Sequence, residues 1–76
     1  MEDKLSFNVS MHEEDNNGKK VFVVEAIELG VSDFGDSIDE AINNLKNGVS
    51  LLLEEAPEKK ELLRKEEPVM ITRIFL

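Results

Sequence analysis

The hydrophobic period of this chain changes at Asp36, and that change limits the fold to strands followed by a helix. Before it, Leu5, Phe7, Val9 and Met11 alternate with Lys4, Ser6, Asn8, Ser10 and His12, the period-two pattern of a half-buried strand. After it, Ile38, Ala41, Ile42, Leu45, Val49, Leu52 and Leu53 recur at helical spacing and form one apolar stripe. The spacing predicts a helix over 37–55. Ser37-Ile38-Asp39-Glu40 supplies a capping box at its start, with the Ser37 hydroxyl accepting from the amide of Glu40. Gly48 interrupts the helix at a cost of about 1 kcal/mol relative to alanine, which close approach to a sheet would justify.

Between the strand and the helix, Glu13 to Lys20 reads as a polar loop, within which Asn17-Gly18 suits a hairpin turn needing positive φ. Val21-Phe22-Val23-Val24 is apolar on both parities, so this second strand needs cover on two faces, and one helix covers only one. Ala26 to Val31 reads as a third strand, leaving through Ser32 to Gly35. Pro57 opens a short helix to Lys65 with Leu62 and Leu63 inward, and Pro68 stops it. Val69 to Leu76 is apolar except for Thr72 and Arg73 and predicts a fourth strand at the sheet edge. The expected fold is α+β in the order β-β-β-α-(α)-β. It has a single four-stranded, mainly antiparallel sheet with one long helix on one face, within a single domain over 1–76.

Seventy-six residues leave room for one thin core, and such small domains generally add disulfides, metals or partner subunits. There is no cysteine and only one histidine, so disulfides, thiolate zinc and an imidazole cage are excluded, and association with another chain is the remaining staple. The formal charge of −8 opposes binding to phosphate backbones and anionic membranes and favours a basic protein partner. Nothing at the N-terminus reads as a signal peptide and no apolar run reaches membrane length, which predicts a cytoplasmic protein.

Candidate chemistry is sparse, and no cofactor is expected. His12, Glu13, Glu14 and Asp15 offer metal donors, but as neighbours on a hairpin they read as a solvated loop. Glu25 and Glu28 have no nucleophile or cleft to serve as acid and base, so the chain is read as non-enzymatic. Asp33 and Asp36 flank the helix entry, where carboxylates suit the helix dipole or a partner contact. Asp33, Asp36, Glu25 and Glu28 are therefore the candidate partner-binding residues. The apolar Val21 and Val23, together with Val69, Ile71, Arg73, Phe75 and Leu76, are the candidate interface of a homodimer or higher oligomer, since their exposure on a monomer would leave a large apolar patch.

Val21 to Gly30 followed by Gly35-Asp36-Ser37-Ile38-Asp39-Glu40-Ala41-Ile42-Asn43-Asn44-Leu45 resembles the HicB antitoxin family. Glu28, Leu29, Gly30, Gly35, Asp36, Glu40, Ala41 and Asn44 carry the likeness, while Ile27 stands where the family has a proline and Val31 where a cysteine is common. The likeness covers roughly residues 20 to 54. It implies a β-β-β-α-β, partial RNase H fold and a dimerising antitoxin that neutralises a small basic RNA-cleaving toxin of the HicA type. The C-terminal DNA-binding module of many such antitoxins has no counterpart here. Two alternatives stay open: a solitary oligomeric HicB-like domain without a toxin, and an RNase H-like metal nuclease, for which no matching carboxylate set is found.

Helix capping and stripe burial carry definite costs. Ser37→Ala is expected to lose about 1 kcal/mol of stability and Leu45→Ala about 2 to 5 kcal/mol, as read from denaturant melts.

Overall fold

A computed structural model describes residues 5–63, 70 and 72–76. Three strands form one antiparallel sheet in sequential order: β1 over Val9–Asn16, β2 over Lys19–Ala26 and β3 over Val31–Gly35. They are followed by the helix α1, Ile38–Glu55, and a short 3-10 helix, Pro57–Leu63.

The β1–β2 hairpin closes through Asn17 and Gly18 alone, at φ 56° and 82°, with Asn16 opposite Lys19. Both residues in the left-handed region make the two-residue turn whose twist matches the strands on either side. Because the turn is that tight, pairing runs right up to it. Glu13 to Asn16 and Lys19-Lys20, expected in a loop, are ladder residues instead, their polar side chains all exposed. Across the strands the Lys20 ammonium sits 3.6 Å from the Glu13 carboxylate.

The third strand begins later than its alternation suggested. Ile27 to Gly30 form a turn in which the amides of Leu29 and Gly30 both donate to the Ala26 carbonyl, at 3.2 and 2.9 Å. Gly30 takes φ 66°, a left-handed conformation that ends any strand through it. Ile27, Leu29 and Val31 therefore alternate in sequence without sharing a strand.

Helix α1 starts as its capping sequence predicts. The Ser37 hydroxyl accepts from the Glu40 amide at 3.1 Å, and the Ser37 carbonyl takes the Ala41 amide at 3.0 Å. Ala41, Leu45 and Val49 of the stripe are buried against Val24 and Ala26 of β2, and Phe7, Val9, Phe22, Leu29, Val31, Ile42 and Leu53 pack around them. The helix lies over β2 and β3. At its C-terminus the Ala56 amide donates to the Leu52 carbonyl at 2.8 Å, and Pro57 opens the 3-10 turn. Leu63 is buried there, but Leu62, expected inward beside it, is 50% exposed. With about three residues per turn, neighbouring positions point about 120° apart and cannot share one narrow contact.

The four-stranded sheet is overturned: among the described residues the sheet has three strands, and Met70 and Thr72 to Leu76 belong to none. Val69 and Ile71 lie outside the described residues. The physical reason is visible at β1, the strand such a neighbour would pair with. Its outer stretch carries His12, Glu13, Glu14 and Asp15, all exposed, the charged guard of an edge strand. The helix covers β2 and β3, so a strand beyond β1 would have nothing over its own apolar side.

Gly48 also differs from expectation, since nothing lies within 4 Å of the position a β-carbon would occupy there. The close approach is at Gly35, where a β-carbon would stand 2.6 Å from the Ala41 amide nitrogen. The end of β3 touches the first turn of α1 through bare backbone. Gly35→Ala is expected to destabilise by about 1 to 3 kcal/mol through overpacking, whereas Gly48→Ala is expected to stabilise by up to about 1 kcal/mol. Chemical melts of the two variants check the opposite signs.

Candidate interaction surface

The pleat of β2 divides its apolar run between two environments. Phe22, Val24 and Ala26 point towards α1, and Val21, Val23 and Glu25 point to the opposite face, which no element of the chain covers among the described residues. The register builds that face in rows, because directly opposed residues in an antiparallel pair share a side. One row is His12, Val23 and Phe34; beside it lie Glu14 with Val21, and Ser10 with Glu25 and Ser32. Phe34 is 63% exposed.

Glu14, Asn16, Val21, Val23, Ser32, Asp33 and Phe34 line a shallow concavity of about 490 Å³ on this face. Its floor is apolar and its rim acidic. His12 Nε2 lies 3.0 Å from a Glu14 carboxylate oxygen. On β3 the Asp33 carboxylate accepts from the Phe34 amide at 2.8 Å, and the Asn44 side chain of α1 donates to the Phe34 carbonyl at 2.9 Å. These two bonds hold the backbone that presents the Phe34 ring.

The four carboxylates singled out by sequence do not converge. Glu25 stands exposed on the uncovered face; Asp33 borders the concavity, but it is opposed to Val24 in the ladder and so has the helix-facing parity of β3. Asp36, beyond the far end of β3, sits 3.3 Å from the Lys19 ammonium. Glu28 serves the fold: its two oxygens accept from the backbone amide and the side-chain amide of Asn8, at 2.8 and 2.6 Å. This bridge joins the β2–β3 turn to the residue preceding β1. Burial raises the Glu28 pKa, but the bonds from the Asn8 amide and side chain and from its own amide outweigh it and leave the carboxyl below its usual value.

Of the expected interface, Val21 and Val23 do share the uncovered face. Arg73, Phe75 and Leu76 are exposed, with the Arg73 guanidinium 5.3 Å from the Phe75 ring centre. Phe34 was missed by sequence reasoning as a surface group. Its signal was its place two residues before Asp36 on a strand, legible only once β3 is known to begin at Val31. The strand pleat sends His12 and Glu14 to one face and Glu13 and Asp15 to the other, and no group of three or more His, Cys, Asp or Glu among the described residues is placed to hold a metal. No helix among the described residues is long and apolar enough to cross a membrane.

No protein-family model, curated protein or solved structure matches this chain.

The Asn8–Glu28 bridge has a pH signature. The folded pKa of Glu28 is lowered, so the unfolded state binds more protons near it. The stabilisation is complete above the ordinary value of 4.5 and is lost as pH falls through the folded value. Glu28→Gln is expected to lose about 1 kcal/mol at neutral pH and less in acid. Urea melts of parent and variant between about pH 3 and pH 7 should converge as pH falls.

Proposed function

We propose that the chain is a non-enzymatic protein-binding module of the HicB antitoxin type, acting in the cytoplasm on a small basic HicA-type RNA-cleaving toxin. The observation that carries the reading is the uncovered sheet face, where Val21, Val23 and Phe34 form an apolar floor beside Glu14 and Glu25. A floor of that kind takes an apolar anchor, and its rim favours cations around the anchor. The chain's charge of −8 steers a basic protein towards it from a distance. The sequence likeness over residues 20 to 54 supports the same class, and Asn44, one of the residues that carry it, holds the backbone of Phe34.

A second reading, a solitary self-associating domain of the same type, is favoured by the exposed apolar side chains of Met70, Ile74 and Phe75. A metal nuclease is not favoured, since Glu25 and Glu28 do not form a pair and Glu28 is committed to Asn8.

The test requires a small basic protein encoded beside this chain's gene, and the absence of such a gene removes the reading. Titrating the chain into that protein is expected to abolish its cleavage of RNA, with an association rate that falls as salt rises. Phe34→Ala is expected to weaken binding by about 2 kcal/mol, as an anchor residue would. Undiminished cleavage at saturating chain, or a rate indifferent to salt, removes the reading.

A further inference from the structure

The chain leaves two apolar surfaces uncovered, and their chemistry is complementary. One is the sheet face with Phe34 at 63% exposure beside Val23 and the carboxylates of Glu14 and Glu25. The other is the C-terminal segment, where Ile74 and Phe75 are 79% and 82% exposed and Met70 and Leu76 stand equally clear of the fold. Within one chain neither surface covers the other.

We propose that the C-terminal segment of each copy docks on the uncovered sheet face of a second copy, forming a dimer by reciprocal exchange. Phe75 and Ile74 fill the concavity above Val21, Val23 and Phe34. Arg73, the segment's only charged side chain, meets the carboxylates of the rim. The guanidinium already lies 5.3 Å from the Phe75 ring centre, so cation and anchor enter as one unit.

Two further considerations favour a second copy of this chain as the occupant. Among the described residues the buried core consists of Val24, Ala26, Ala41, Leu45 and Val49, with Leu63 also buried, which is thin for a domain that stands alone. Finally, a two-fold exchange uses the face and the segment twice each and leaves neither exposed. The inference shares its face with the proposed function but not its partner, and it makes the exchanged segment and a basic protein competitors for one site.

Sedimentation equilibrium on the full chain alone, at high micromolar concentration, tests it. The parent is expected to run at twice its 8.6 kDa. Phe34→Asp and Phe75→Asp alter exposed side chains, so each is expected to keep the parent's circular dichroism while losing at least about tenfold in dimer affinity. Mixing the two variants is expected to restore part of the dimer, because the intact segment of one meets the intact face of the other. A well-folded parent monomer overturns the proposal. So does a dimer lost in Phe34→Asp and kept in Phe75→Asp, which means face against face, or the reverse, which means segment against segment. Failure to reassociate on mixing overturns it too. No basic protein is present, so a monomer here leaves the antitoxin reading standing, and failed toxin binding leaves the dimer standing.

Discussion

A single helix laid on a three-stranded sheet dries one face of it and leaves the other wet. That geometry organises everything else in this small molecule. The helix settles over β2 and β3 because Gly35 brings bare backbone against Ala41 at the first turn, where a β-carbon would collide. Once that contact is made, Ala41, Leu45 and Val49 fall onto Val24 and Ala26, and Val21 and Val23, of the other parity, are committed to the opposite face. The apolar surface of Val21, Val23 and Phe34 is thus a consequence of the core, since a strand apolar on both parities cannot bury one side without presenting the other.

The ends of the sheet are held by local polar bonds with little help from burial. Asn17 and Gly18 close one end through backbone conformation alone. At the other end Glu28 reaches across to Asn8 and fastens the β2–β3 turn to the approach of β1. This division of labour leaves the Glu28 carboxyl held below its usual value by its bonds to Asn8, while the surface ion pairs at Lys19–Asp36 and Lys20–Glu13 lie in open solvent. Exposed pairs of that sort contribute little to stability. Their neighbours matter more for what the sheet refuses: the charged stretch of β1 discourages another strand from adding at that edge.

Charge and apolar surface therefore share one face of the sheet. The acidic side chains around Phe34 leave its ring accessible, and the Asp33 and Asn44 bonds hold the strand that carries it. A rigid aromatic on a strand, in a shallow concavity with carboxylates at its margin, is the geometry on which the proposed anchored, charge-steered contact rests.

Much of this was legible in the residues themselves. The α+β class, the helix bounds, the Ser37 cap, the Asn17-Gly18 turn and the buried stripe all follow from local rules, namely side-chain periodicity, hydroxyl capping and positive φ. The two-faced character of Val21 to Val24 was also plain from their parity. Sequence went astray where local pattern and tertiary context disagree. Ile27, Leu29 and Val31 alternate as a strand would, yet Gly30 turns the chain between them. Val69 to Leu76 has strand composition, yet its described residues find no partner beside a charged edge. Gly48 looked like the close contact and Gly35 was it, because only the packed pair shows which backbones touch. Glu28 looked like a surface carboxylate until the fold brought Asn8, twenty positions away in the chain, within 2.6 Å of it. Local periodicity determines which residues are able to be strand or helix; which surfaces meet, and so which apolar face stays open, depends on long-range contacts that periodicity does not encode.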